Sequence, residues 1–472
     1  LLLSPETVDF RPDSVERFRL TDFDADADAA TAVLRYALDD DHHFEERLEF
    51  GNGTRLPRVT SDAARAGFER VVRLLHLAAG VSYYKTAAPT RIAIETGPLT
   101  EAETRLFRDL YDRGLREFAF RNGLEVPRRL ELSTEGRAKS ASSRPVEAPE
   151  HGIAVPLGGG KDSVVVLEAL RDLDPVPVSV NPNPATQRIV SIAGLDLLAI
   201  RRRLDPALFA LNEHGALNGH VPVTAIVSLI TVAAGYLFGY DTTAMALESS
   251  ADAPSRVITR GKRGKRGEGG KGGPGDEVNH QWSKSAEFEH ALQEVLRESV
   301  HPSITYVSPL RSFDELEITA AFATLTPYLR AFRSCNEVAR LSGATDAWCC
   351  DCPKCRFVFL ALADALDRKD VVGVFGADIL DDETQVSGYE EMLDPATKPF
   401  DCVGTVTEVE VALRRLAARP DWSGAAVLER LRPRLRQMQR GSRPGVPVPE
   451  PAATPTEIFE TVKRTLAKSS LR

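Results

Sequence analysis

Hydrophobic and polar positions change their period along this chain, and the changes predict its elements. Short apolar runs at Ile153–Leu157, Val176–Val180 and Asp196–Ile200 are separated by the amphipathic stretches Ser163–Leu173 and Ala185–Ala193. Strands alternating with helices at this spacing predict right-handed βαβ crossovers and a parallel sheet. A helical stretch from 221 to 240, a strand Thr243–Leu247, a helix Lys284–Glu298, a strand Ile304–Val307 and a helix Asp314–Leu325 extend the series. Ahead of it, residues 1–132 read as a small α+β unit, with strands Ala32–Leu38, Phe44–Phe50 and Arg91–Glu95 and helices Ser61–Ala79 and Thr100–Asn122. Residues 133–150 are polar, as a linker would be. The fold class is therefore α/β: an N-terminal unit, a linker, a parallel-sheet domain over 151–376, and a mostly helical region over 377–472. Within this plan, the Gly/Lys/Arg run at 260–275 can bury nothing and is expected to be a mobile loop. A proline-rich stretch, Pro444–Pro455, precedes a last amphipathic helix, Thr456–Ala467.

Composition narrows the function classes. With 59 basic and 68 acidic side chains the net charge is −9, which provides no general field for a phosphate backbone, so no nucleic-acid partner is expected. Val221–Tyr240 carries no charge and is nearly long enough to span a bilayer. Lying alone between predicted strands without a close basic flank, it reads as a buried core helix, and no membrane association is expected. No apolar segment followed by a small-residue cleavage site opens the chain, which suggests a cytoplasmic protein. Five of the six cysteines crowd between Cys335 and Cys355, a pattern that favours metal over disulfides.

Gly158-Gly159-Gly160-Lys161-Asp162-Ser163 follows a predicted strand and opens a helix. Consecutive glycines let backbone N–H groups converge on an anion, and the helix N-terminus adds a favourable dipole. Phosphate is the natural guest. Asp162 directly after the lysine excludes a Walker A loop, which needs Ser or Thr there. The run resembles instead the Ser-Gly-Gly-x-Asp-Ser loop of the PP-loop ATP pyrophosphatases, with Gly158 in place of the family's serine. Cys335, Cys349, Cys352 and Cys355 have the spacing C-x13-C-x2-C-x2-C, and four thiolates suffice for a closed tetrahedral Zn²⁺ site. A similar cluster occurs in 7-cyano-7-deazaguanine synthase, another PP-loop enzyme, where it is structural. Cys350 should turn away from the ligand face. Glu248, at a predicted strand end, is a candidate Mg²⁺ ligand for ATP chemistry. Arg311, Arg333 and Lys284 could neutralise a polyanionic substrate, or could serve as ordinary salt bridges. Ser283 is an acceptable N-cap for the helix that follows it.

Longer segments carry a closer resemblance. Val-Asn-His-Gln-Trp-Ser-Lys-Ser at 278–285, Phe-Arg-Ser-Cys-Asn at 332–336, Trp-Cys-Cys-Asp-Cys-Pro-Lys-Cys-Arg-Phe-Val-Phe-Leu at 348–360 and Lys-Pro-Phe-Asp-Cys-Val-Gly-Thr at 398–405 are similar to the UDP-N-acetylmuramoyl-L-alanyl-L-glutamate epimerase (MurL) family. Gly219-His220-Val221-Pro222-Val223-Thr224 adds to the likeness. The insert at 260–275 departs from it. The resemblance implies ATP- and Mg²⁺-dependent inversion of the terminal L-glutamate of a peptidoglycan precursor.

Chemistry makes such a reaction reasonable. The α-hydrogen beside a free carboxylate is very weakly acidic, because its removal would leave a dianion. An acyl-adenylate is an activated ester, and its α-hydrogen is far more acidic. On this reading Gly158 to Ser163 hold the pyrophosphate, Lys161 stabilises phosphate charge, and Asp162 positions Mg²⁺ or the loop. Proton exchange needs two groups on opposite faces of Cα, or one mobile group, for which His280, Lys284 and Cys402 are the candidates. The other reading is a PP-loop enzyme that adenylates a base, a tRNA or another carboxylate, for thiolation or amidation.

Overall fold

Apolar runs bounded by Gly, Pro and Asp become strands in the computed structural model, which describes residues 10–51, 55–125, 129–135, 145–258, 276–335, 347–438 and 456–469. The predicted loop 260–275, the proline-rich stretch 444–455 and residues 136–144 of the expected linker lie outside the described residues. The strands are β1 (Arg17–Asp26), β2 (Thr31–Leu38), β3 (His42–Phe50), β4 (Arg91–Ile94), β5 (Glu131–Thr134), β6 (Ile153–Pro156), β7 (Val176–Val180), β8 (Leu198–Arg203), β9 (Thr242–Ala244), β10 (Arg256–Ile258), β11 (Asp276–Val278) and β12 (Thr305–Val307).

Ten of them form one sheet in the order β12-β9-β6-β7-β8-β3-β2-β1-β4-β5, while β10 and β11 pair separately. The β12-β9-β6-β7-β8 half is parallel, as the βαβ pattern predicts. The sheet as a whole is mixed, because β8 meets β3 antiparallel and β3, β2 and β1 form a meander. The N-terminal strands thus continue the parallel half without a seam. At the join, Arg202 on β8 reaches the fully buried Glu46 on β3 with Nε at 2.6 Å and Nη2 at 3.1 Å. A bidentate pair of this kind is orientation-specific.

Helices cover both faces. Ser61 caps the helix Asp62–Ala79 by accepting from the Ala64 amide. That helix packs on Val223–Phe238, with Gly67 so close to Tyr236 that a Cβ would sit 2.2 Å from the ring. The charge-free stretch is therefore a core helix, as expected, and no helix among the described residues is long and apolar enough to cross a membrane. Across the sheet, Lys161–Ala169, Glu315–Ala323, Pro353–Ala365, Val406–Ala417 and Ala426–Met438 share a second core with the terminal helix Thr456–Ser469. Two helices depart from prediction. Thr100–Asn122 divides into Glu101–Asp112 and Arg116–Arg121. The helix expected from Lys284 begins at Ala286, capped by Ser285 rather than Ser283, and Lys284 ends a 3₁₀ turn in front of it.

Strand order reverses at β6: the chain runs from β6 to β7 and β8 on one side, and later to β9 and β12 on the other. Crevices at such switch points, outside the carboxyl ends of the strands, are where open α/β sheets bind ligands.

Candidate active site

The loop after β6 enters this crevice. Its carbonyl groups are held from outside: Leu157 O accepts from Ser179 Oγ at 2.8 Å, Gly158 O from Asn183 Nδ2 at 3.1 Å, Gly159 O from the Arg333 amide at 2.8 Å, and Gly160 O from Ser163 Oγ at 3.2 Å. The amides of Gly158, Gly159 and Gly160 have no protein acceptor among the described residues. Gly160 caps the helix Lys161–Ala169 without a side-chain bond, leaving that helix's first-turn amides open as well. With its acceptors tied back and its donors free, the loop is built for an anion. Gly159 has φ +91°, and a Cβ there would meet Ala185 and Asn183 at 3.1 Å, whereas one on Gly158 would meet nothing within 4 Å. Gly159→Ala is accordingly expected to lower stability by roughly 1–3 kcal/mol. Gly158→Ser should change it by no more than about 0.5 kcal/mol. Thermal melts of the two variants check both.

The loop lines a cleft of about 390 Å³ with Asn183, Thr224, Glu248, Lys284, Glu315, Arg333, Ser334, Lys354 and Cys402. Of the sequence candidates, the loop residues, Glu248, Lys284, Arg333 and Cys402 meet here. Carboxylate oxygens of Asp162, Glu248 and Glu315 all lie within 4.8 Å of one another. Glu248 and Glu315 are buried, and the Glu248 carboxylate has no hydrogen-bond donor among the described residues. Lys161 contacts Asp162 at 2.5 Å and also Glu315. Burial would discharge Lys161, but the two carboxylates outweigh it and hold the ammonium above its ordinary pKa. Burial pushes the Glu315 carboxyl up, with Lys161 opposing and Asp162, Glu248 and Glu408 reinforcing the shift. Three carboxylates facing one ammonium in a cleft form an oxygen donor set that suits a hard divalent cation.

Lys284 donates to Cys402 Sγ at 3.2 Å. Burial would lower its pKa, but Cys402 and Glu248 outweigh burial and raise it, so the ammonium persists. The starting shift of the helix to Ala286 makes this contact available, since Lys284 sits in the turn and not in the first helical turn.

His280 does not line the cleft. Its Nδ1 bonds to Ser255 Oγ, and its buried Nε2 has no partner among the described residues. Burial, together with His220, Lys398, Lys284 and Lys354, pushes it down to about 2, so the ring is neutral. Arg311 is also elsewhere. Fully buried, it binds Glu289 at 2.8 Å and donates to the backbone oxygen of Glu248 at 3.0 Å. It is the salt bridge, the second of the two roles considered for it, and it fixes the strand end that presents Glu248. Arg333 lines the cleft with its guanidinium donating to Arg330 O and Phe332 O, 5.6 Å from the centre of the Trp348 ring.

Behind one wall, the sulfurs of Cys335, Cys349, Cys352 and Cys355 lie within 4.8 Å of one another. A tetrahedron with metal–sulfur bonds of about 2.3 Å has edges of about 3.8 Å. Cys349 and Cys355 are 3.7 Å apart and Cys335 and Cys352 4.0 Å. The Cys352 amide points at Cys349 Sγ and the Cys355 amide at Cys352 Sγ, a support that thiolate ligands require. Cys350, at φ +58°, turns its sulfur toward Trp348 O and Phe375 O, away from the group, as expected. Glu315, Ser334, Asn183 and Lys354 join the site without having been candidates in the sequence. Asp314 and Glu317 form a capping box around Glu315, so in sequence it reads only as a helix start.

Comparison with known proteins fixes the family. Residues 9–309 match the MurL N-terminal domain and residues 331–444 the MurL C-terminal domain. The chain belongs to the MurL family. Proteins named UDP-N-acetyl-alpha-D-muramoyl-L-alanyl-L-glutamate epimerase are similar to it: one from a Micromonospora species is 43% identical, covering 88% of this chain and 90% of its own length. One from Salinispora tropica is 41% identical over 88% of each chain, and one from Xanthomonas oryzae pv. oryzae is 34% identical over 97% of this chain and 99% of its own. No solved structure matches. Membership makes the chain an isomerase of the epimerase type.

Proposed function

We propose that this chain inverts the terminal L-glutamate of UDP-N-acetylmuramoyl-L-alanyl-L-glutamate to D-glutamate in the cytoplasm, using ATP and passing through an acyl-adenylate, in peptidoglycan precursor synthesis. The observation that carries the proposal is one cleft holding both an amide-lined anion loop and a lysine–cysteine pair, in a chain whose relatives bear the epimerase name. The loop is then of the PP-loop type. Its amides and Lys161 grip the β- and γ-phosphates of ATP while the glutamyl α-carboxylate attacks the α-phosphorus. A Mg²⁺ held by Asp162, Glu248 and Glu315 would supply charge neutralisation on the phosphates.

Epimerisation follows at the activated ester, and water then cleaves the acyl–phosphate bond to release the free glutamyl carboxylate and AMP. Lys284 and Cys402 are the proton-exchanging groups. They are in contact, so exchange on opposite faces requires the substrate Cα to enter between them, the ammonium moving aside on its flexible stem. His280 supports that wall as a neutral ring. The test is incubation in D₂O with ATP and Mg²⁺. Mass spectrometry should show a one-dalton gain, chiral analysis D-glutamate, and the spent nucleotide AMP with pyrophosphate. Accumulation of ADP and phosphate, or inversion without ATP, would reject the mechanism.

The cysteine group holds one structural Zn²⁺ in this reading, with Cys335, Cys349, Cys352 and Cys355 as ligands. Cys335 adjoins Ser334 and Arg333 on the cleft wall, and Cys352 and Cys355 flank Lys354, so the ion ties two wall segments together. Cys352→Ser is expected to lose bound zinc and melt at lower temperature, while Cys350→Ser keeps its zinc. Metal analysis of both decides.

A further inference from the structure

Side-chain donors around the glycine loop are spent on the loop itself. Ser179 Oγ donates to Leu157 O, Asn183 Nδ2 to Gly158 O and Ser163 Oγ to Gly160 O. Ser334 is the exception. It lines the cleft beside Gly160, its Oγ 3.3 Å from the point where a Cβ on Gly160 would stand. Its hydroxyl has no hydrogen-bond partner among the described residues. The residues on either side of it are anchored. The Arg333 amide donates to Gly159 O at 2.8 Å, which ties this segment to the loop, and Cys335 Sγ stands 4.0 Å from Cys352 Sγ in the cysteine group. Between two fixed neighbours, the Ser334 hydroxyl keeps little freedom beyond rotation about its own χ1.

Gly160 caps the helix Lys161–Ala169 without a side-chain bond. An anion held by the amides of Gly158, Gly159 and Gly160 and by the first turn of that helix therefore lies against Gly160, within reach of Ser334 Oγ. A hydroxyl suits the place. It rotates to donate, and it can bond a phosphate oxygen that the amides leave over without adding charge beside the Lys161 ammonium.

We infer that Ser334 is a phosphate-binding residue, its hydroxyl completing the amide cradle of Gly158 to Gly160 around the β- and γ-phosphates of the nucleotide. The inference rests on the proposed function, which places ATP in this cleft. It divides the grip between two parts of the chain: the loop lies within the residues matched by the MurL N-terminal domain, and Ser334 within those matched by the C-terminal domain. Gly158 offers the means of testing it. This residue lines the same cleft, and a Cβ added to it meets nothing within 4 Å, so a serine there brings a hydroxyl to the loop from a second direction.

Titration calorimetry of the full chain with Mg²⁺ decides, using inorganic pyrophosphate and α,β-methylene-ATP as probes. Loss of one hydrogen bond to a charged group should weaken Kd roughly tenfold. Ser334→Ala should weaken both probes by about that factor, and Ser334→Thr should bind them as the unaltered protein does. Gly158→Ser added to Ser334→Ala should recover most of the loss. Unchanged binding by Ser334→Ala overturns the inference and leaves the proposed function standing. So does a loss confined to α,β-methylene-ATP, which would put Ser334 beside the nucleoside end. A double variant no better than Ser334→Ala overturns it as well, because a hydroxyl on the loop replaces a missing donor and cannot mend a displaced wall. That comparison holds even where Ser334→Ala melts at a lower temperature. Binding of neither probe by the unaltered protein removes the inference and the proposed function together.

Discussion

Glu248→Gln is expected to lower pyrophosphate release by roughly 10²–10³-fold while leaving the melting temperature unchanged or raised. The reason lies in what surrounds the carboxylate. Glu248 is 3% exposed, has no donor among the described residues, and has its oxygens within 4.8 Å of those of Asp162 and Glu315. Its charge is set against Asp162 and against Glu315, whose carboxyl it helps push up, with the one ammonium of Lys161 to offset the repulsion. Removing the charge and keeping the shape relieves that repulsion, so the fold should not suffer. Turnover should suffer, because the oxygen set that could hold a divalent cation over the phosphates is reduced by a charged ligand. The apparent Mg²⁺ requirement should rise in parallel. Normal turnover with an unaltered Mg²⁺ dependence would remove Glu248 from the site and leave its burial unexplained. Steady-state pyrophosphate release across a Mg²⁺ series, with a melt on the same sample, separates the outcomes.

The elements of this cleft are unequally legible in the sequence. The glycine loop can be read because its function is written in contiguous residues, and the cysteine group because three of its sulfurs lie within seven residues of one another. The parallel half follows from the alternation of apolar and amphipathic runs. Strand β1 escapes the sequence pattern for a physical reason: a register shift between Leu20 and Asp22 breaks its alternation, and its outward face carries Arg and Asp. The join of β3 to β8 pairs segments about 150 residues apart, and no local pattern encodes such a pairing. Arg311 shows the same limit for charges. Its partners Glu289 and Asp252 are separated from it in sequence, and only the fold reveals that it is a buried strut. Glu315 is the reverse case, a cleft acid hidden inside an ordinary capping box.

Cys402→Ala and Lys284→Met are expected to divide α-hydrogen exchange between the two epimers. If the substrate Cα enters between the sulfur and the ammonium, each group serves one face. The L-epimer loses its hydrogen to one of them, the D-epimer to the other. Removing a group should then abolish exchange starting from one epimer, by roughly 10²–10⁴-fold, and spare it starting from the other. The two variants should be opposite in this respect. ATP–pyrophosphate exchange supplies the control: it depends on adenylate formation and not on the α-hydrogen, so a variant that keeps it while losing solvent exchange has lost proton transfer rather than substrate. The experiment incubates each epimer separately in D₂O with ATP and Mg²⁺ and reads deuterium in recovered starting material. The 3.2 Å separation of Lys284 and Cys402 makes the alternative concrete. Should the two groups remain together on one face and relay a single proton, either substitution would silence exchange from both epimers at once, with adenylation intact. That result would replace the two-face arrangement with a one-face relay.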